Sequence, residues 1–146
     1  MEYQSVLCIT GDSVPLEKTE LEAARVAGMC GCRLILLHVV EKWRNSELLV
    51  TDSPEWQSVL DNWLAEGMEL LDKKEELLRT QGLFSIKKLV RGGEKASETL
   101  AVAAEQNVSI IVAPNYHGWK GLLSNSFTNE IITNSPCPVL WVNEHT

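Results

Sequence analysis

The chain has 146 residues, 45% hydrophobic and 23% charged, with 20 acidic against 13 basic side chains for a net charge of −7. Length and composition predict one globular domain over residues 1–146, large enough for a single core. The acidic balance excludes proteins that grip nucleic acid or an anionic membrane through clustered cations, and the pairs Lys73-Lys74 and Lys87-Lys88 are too short to reverse it.

The start, MEYQSVLCIT, opens with an acid and has no basic region ahead of a long apolar stretch, so no signal peptide is expected. No run approaches the ~18 apolar residues that cross a bilayer, so a cytoplasmic protein without membrane insertion is expected. Residues 5–10 (SVLCIT) read as a strand covered on both faces. Gly11-Asp12-Ser13 breaks it, and Pro15 fits the turn before a helix over 16–29 whose core face carries Leu21, Ala24 and Met29. Gly31 stands where a C-cap glycine would, and 33–40 (RLILLHVV) is the most apolar strand of the chain.

A polar connection over 41–54 precedes the longest helix, 54–81, which includes Trp56, Trp63, Gly67, Leu70, Leu71 and Leu78 at steps of three and four. Gly82 stops it. A third strand is predicted over 84–90, a turn at Gly92-Gly93, and a helix over 94–106 with Ala96, Leu100 and Ala103 inward. A fourth apolar run from Val108 stops at Ala113-Pro114. A loop spotted with glycine follows, then a helix from Asn125-Ser126-Phe127-Thr128 that closes at Pro136, and a last strand over 139–142. Strands alternating with helices predict an α/β fold, an open parallel sheet with right-handed crossovers and helices on both faces. In such sheets ligands bind beyond the carboxyl ends of the strands, so the loops after Thr10, Val40 and Val112 are the candidate site.

Five segments, VLCITGDS, RLILLHVV, LVRGGEKASETL, VSIIVA, and NSFTNEII followed by SPCPVLWV, resemble the universal stress protein family over essentially the full length. The resemblance implies a Rossmann-like, five-stranded parallel sheet of the adenine nucleotide alpha hydrolase type. It also implies a homodimer formed through the last strand: Val139, Leu140, Trp141 and Val142. Members of the family that bind ATP carry an Asp after the first strand and a G-x2-G-x9-G-[S/T] loop after the fourth. In this chain Gly11 falls at the Asp position, with Asp12 one residue on. Ala113 and Tyr116 fall on the first two glycines, Asn125 on the third and Ser126 on the hydroxyl. The interval from Tyr116 to Asn125 is eight residues instead of nine. The adenine contact after the His of the second strand falls on Val39. The degenerate nucleotide pocket is therefore assigned to Gly11, Asp12, Val39, Ala113, Asn115, Gly118, Gly121, Asn125, Ser126 and Thr128.

Glycine in such a loop lets backbone approach phosphate, so Tyr116 adds bulk and Pro114 removes a donor, while Gly118 and Gly121 could rebuild a cradle of another shape. Ser126 and Thr128 place hydroxyls where a helix dipole favours an anion, although simple helix capping, with Asn125 or Ser124 as the cap, is the preferred explanation. His38 reads as a buried, hydrogen-bonded histidine, His117 as a solvated loop residue, and Trp43 and Trp119 as loop aromatics of a contact surface. The run Asp72 to Glu76 reads as a solvated helix face, and Cys8, Cys30, Cys32 and Cys137 as structural thiols. No catalytic residue and no metal ligand set is assigned. The expected function is a non-catalytic stress-response regulator or adaptor, dimeric, with an unidentified protein partner. The alternatives are an ATP or adenine-nucleotide sensor and a slow ATP hydrolase using the same pocket.

Overall fold

The computed structural model describes residues 3–41, 54–116 and 125–144, with the side chains of 54–56 outside that description. Strands β1 (Ser5–Ile9), β2 (Arg33–Val40), β3 (Ile86–Gly92), β4 (Ile110–Asn115) and β5 (Val139–Asn143) form one parallel sheet in the order β3-β2-β1-β4-β5. Helices α1 (Lys18–Cys30), α2 (Pro54–Arg79), α3 (Lys95–Glu105) and α4 (Ser126–Asn134) connect them. The predicted α/β architecture is the observed one.

Alternation along the strands sends side chains to two separate cores. Val6, Cys8, Leu34, Leu36 and Val112 pack against Ala23 and Ala27 of α1 and Leu71 and Leu78 of α2. Leu7, Ile9, Ile35, Leu37, Ile111 and Ala113 pack against Val102 and Ala103 of α3 and Phe127 of α4. Each fully buried Leu or Ile contributes on the order of 1.5–3 kcal/mol, so the central strands β1, β2 and β4 anchor the fold.

Several boundaries and faces differ from the sequence reading. The inner face of α1 is Thr19, Glu20, Ala23 and Ala27, while Leu21 and Met29 are 40% and 77% exposed. Small alanines let α1 lie close to the sheet, and a buried glutamate holds the position that periodicity gives to a leucine. On α3 the buried set is Ala96, Thr99, Val102 and Ala103, with Leu100 half-buried. β3 starts two residues later than predicted, and Phe84 stays exposed with the Arg79 guanidinium 5.7 Å from its ring centroid. Its far end follows β2, whose Val40 pairs with Gly92.

β4 does not stop at Ala113-Pro114 but runs on to Asn115. Ile111 N–H donates to Pro138 and the Asn115 carbonyl accepts from Glu144 N–H, so alternation turns the Pro114 nitrogen toward β1. The β1 ladder has already ended at the Cys8–Val112 pair, and no bond is lost by the missing donor. Asp72–Glu76 is not a uniformly solvated face either: Lys74 is fully buried, while Asp72 and Glu75 both accept from Lys88 of β3, at 2.6 and 2.9 Å. That ammonium holds the Glu75 carboxyl below its ordinary value of 4.5.

The two rims of the sheet differ. On β3, Lys87 donates to Gln106 at 2.8 Å and Arg91 to Glu105 at 2.7 Å, alongside the Lys88 pairs. On β5, Val139 and Trp141 turn to one core and Leu140 and Val142 to the other, with Trp141 edge-on to Phe127 at 6.4 Å between centroids.

Candidate functional site

β1 is the strand at which chain order reverses, with β2 on one side and β4 on the other, and crevices form beyond the carboxyl ends at such a point. Two arrangements occupy this rim. Over β1 and β2 lies a cavity of about 590 Å3, within the usual range for small-molecule sites. Thr10 and Asp12 from the end of β1, and His38, Val39, Val40 and Glu41 from the end of β2, form one wall. Trp63, Glu66, Gly67, Glu69, Leu70 and Lys73 of α2 and Lys95 at the start of α3 form the rest.

His38 stands at the centre of this wall. Its side chain is 13% exposed, its Nδ1 has no hydrogen-bond partner among the described residues, and the Asp12 carboxylate lies 3.9 Å away. The sequence reading of a hydrogen-bonded histidine is therefore corrected at that nitrogen: the surrounding helix gives it space and no partner. A Cβ at Gly67 would lie 2.9 Å from the His38 ring, so only glycine lets α2 approach here.

Burial pushes the His38 pKa below its ordinary value of 6.5, opposed by the charge of Asp12 and assisted by Lys74 and Lys95. A histidine held neutral in the fold but free to protonate when unfolded makes the unfolded chain the better proton binder. Stability is then lost as pH falls from about 6.5 through the lower folded value. His38→Gln is expected to flatten this decline, read as the difference in urea unfolding free energy between about pH 7.5 and about pH 5.5.

Over β1 and β4 the rim is filled. Glu17, just before α1, lies above Gly11, and a Cβ at Gly11 would fall on its carboxylate. The Tyr116 hydroxyl, one residue past β4, donates to Glu17 Oε2 at 2.9 Å. Burial raises the Glu17 carboxyl above 4.5, against the lowering effect of that hydroxyl, and burial and Glu17 together raise the Tyr116 phenol well above 10.0.

Beneath them is a closed ionic knot. Lys74 Nζ pairs with Glu20 Oε2 and donates to the Gly11 carbonyl at 3.1 Å. Glu20 also accepts from Gly11 N–H at 2.9 Å and Glu17 N–H at 2.8 Å. Glu144, after β5, accepts from Thr19 N–H at 2.6 Å, from Lys18 N–H at 3.2 Å and from the Thr19 hydroxyl. The N-terminus of α1 thus already holds a carboxylate.

Of the residues assigned from sequence, the structure brings Asp12 and Val39 together in the cavity, with Gly11 between Thr10 and Asp12 but covered by Glu17. Ala113 is wholly buried in β4, and Asn115 donates from Nδ2 to Asn143 Oδ1 at 2.8 Å, stitching β4 to β5. Asn125 caps α4, its Oδ1 accepting from Phe127 N–H at 2.9 Å and Thr128 N–H at 3.4 Å; Ser126 is exposed and Thr128 buried. Gly118, Gly121, Ser124, His117, Trp43, Trp119 and His145 lie outside the described residues, as does the Trp56 side chain.

Sequence reasoning missed Glu17, Lys73 and Lys95. It also missed the buried Lys74, although Gly67, Leu71, Lys74 and Leu78 share one helical stripe that marks the inner face. Burial raises the thiols of Cys8, Cys32 and Cys137, which favours the inert protonated form at each. Among the described residues no group of three or more His, Cys, Asp or Glu could hold a metal ion, and no helix is long and apolar enough to cross a membrane.

The model of the universal stress protein family matches residues 2–143. The universal stress protein UspA of Lactobacillus plantarum has the same fold, with a TM-score of 0.74 and 17% identity over 97% of this chain and 99% of that one. A universal stress protein solved in complex with cAMP gives 0.67 and 18% over 99% of each chain. One from Archaeoglobus fulgidus in complex with dAMP gives 0.66 and 16% over 97% and 98%. A curated relative, a D-arabinono-1,4-lactone oxidase of Candida glabrata, is 32% identical over 107 residues; the match takes in 68% of this chain, which spans 20% of that relative's length. With a family match that runs almost end to end, and a five-stranded parallel sheet in the same fold, the chain belongs to the universal stress protein family.

Proposed function

We propose that this chain, as one domain over residues 1–146, is a non-catalytic cytoplasmic regulator or adaptor of the universal stress type. It works as a homodimer through β5 and keeps an altered adenine-compound pocket. The observation that carries this reading is the cavity of about 590 Å3 beyond the carboxyl ends of β1 and β2, with Asp12 and Val39 on its wall. Relatives of the same fold were solved with cAMP and dAMP, which supports an adenine ligand for this cavity. The non-catalytic part rests on His38, whose Nδ1 faces no nucleophile within hydrogen-bond reach among the described residues.

Of the pocket residues named from sequence, Asp12 and Val39 form the retained part of this proposal, while Gly11 lies under Glu17. Asn125, Ser126 and Thr128 act as the start of α4. The dimer rests on β5 being an edge strand with the apolar side chains Val139, Leu140, Trp141 and Val142. Light scattering at tens of micromolar is expected to give twice the monomer mass, and a monomer would overturn that part. For the pocket, mass spectrometry of ligand released from protein purified without added nucleotide is expected to find an adenine compound. The second reading, an ATP sensor, would gain if that compound proved to be ATP.

A further inference from the structure

We propose that the buried Lys74–Glu20 pair is a positioning device for the cavity, gripping the backbone of Gly11 so that Asp12 is held on the cavity wall beside His38. This deepens the reading of the cavity as an adenine site and, for its effect on binding, rests on it.

Neither Lys74 nor Glu20 lines the cavity. Both act through Gly11 on its neighbours Thr10 and Asp12, which do. Gly11 is held by each of its backbone groups: the N–H donates to Glu20 at 2.9 Å, and the carbonyl accepts from Lys74 Nζ at 3.1 Å. That carbonyl belongs to the planar peptide leading into Asp12, so the ammonium fixes the direction in which Asp12 departs. The other oxygen of Glu20 accepts from Glu17 N–H at 2.8 Å, so one carboxylate ties both ends of the loop 12–16. Thr10 is tied on the opposite side, its N–H and hydroxyl donating to the Leu37 carbonyl at 2.9 and 3.0 Å.

The Asp12 side chain is 95% exposed and lies 3.9 Å from His38 Nδ1, so its place is set by the backbone before it and not by packing of its own. Helix α2 serves both walls: Gly67 lets it lie against His38, and on the same stripe Lys74 reaches Gly11. An apolar pair of similar volume would serve the core about as well as a buried ion pair. What it could not supply is the chain of backbone bonds that ends at Asp12.

A mutant cycle read at His38 by NMR tests this. Asp12 raises the pKa of this ring, while burial, Lys74 on α2 and Lys95 at the start of α3 lower it. Glu41, Glu66, Glu69 and Lys73 on the same wall are common to every arm. In the wild-type background Asp12→Asn is expected to lower the His38 titration midpoint. In the Lys74→Met/Glu20→Gln background, which removes both buried charges, the same substitution is expected to leave the midpoint unchanged. A pair that only stabilised the core would give an equal shift in both backgrounds; that result, or no shift in the wild type, would overturn the positioning role. Amide exchange of the wild type needs no variant. The Gly11 amide, bonded to a buried carboxylate, is expected to exchange as slowly as those of β1, and exchange as fast as that of exposed Ser13 would overturn the role.

Calorimetry with adenosine and AMP extends the test to binding. Lys74→Met/Glu20→Gln is expected to weaken both about tenfold, as loss of a preorganised wall does, and unchanged affinity would overturn the link to the ligand. If neither compound binds the wild type, the adenine reading falls, and the NMR cycle still decides whether the pair positions Asp12.

Discussion

Lys74→Ala is expected to lower the unfolding free energy by about 3–5 kcal/mol, a large part of what a domain of this size has to spare. Lys74 and Glu20 are both fully buried, and the ammonium satisfies the carboxylate and the Gly11 carbonyl together. Removing the lysine strands a carboxylate under the sheet rim with only the Gly11 and Glu17 amides as partners. The cost is therefore desolvation of an unpaired charge, and it differs from the cost of a simple cavity. Lys74→Met combined with Glu20→Gln should recover part of the loss, because the amide keeps an acceptor for one of those N–H groups and no charge remains. Urea unfolding of the three variants measures it. A loss under about 1 kcal/mol for Lys74→Ala would mean that water or another cation replaces the ammonium.

Mg-ATP is expected to bind with a dissociation constant of about a millimolar or weaker. The sequence count puts Gly11 where the ATP-binding motif has Asp, and Glu17 covers it. The same count puts Tyr116 on the motif's second glycine, and its hydroxyl donates to that carboxylate. Two lost or misplaced polar contacts at about 1.5–3 kcal/mol each weaken a micromolar site by roughly two to four orders of magnitude. The first amides of α4 offer little compensation, since Asn125 already takes those of Phe127 and Thr128. Calorimetry decides the matter, and a dissociation constant near about 10 μM would overturn this account.

The fold was legible because its strands are unambiguous. RLILLHVV over 33–40 has no other solution than a strand covered on both faces, and its bounds were read without error. Where the reading slipped, a local rule met a tertiary exception. Proline was taken to end β4, but its missing N–H faces a ladder that has already finished. Leu21 was turned inward by hydropathy, but the structure leaves it exposed and buries Glu20 instead, because the glutamate has a buried lysine to meet.

The site was legible only in part. Asp12 and Val39 lie at strand ends, where topology alone directs attention. Glu17, Lys73 and Lys95 come from helix starts and a helix flank, and their convergence is a property of packing that sequence spacing does not encode. Tyr116 was recognised as bulk; its hydrogen bond across the sheet needed a partner 99 residues away.

The unlike rims of the sheet bear on how far the proposed assembly could go. A parallel sheet with two receptive edges polymerises, each copy offering its free side to the next. Here β3 carries Lys87, Lys88 and Arg91, each braced to a partner on α2 or at the end of α3, whereas β5 is an edge strand whose valines, leucine and tryptophan turn to the two cores. Two copies meeting at β5 about a two-fold axis would consume the receptive edge of both and leave a charged β3 at each outer border. The proposed pair would therefore be self-terminating, with no second apolar edge strand left to recruit a third copy.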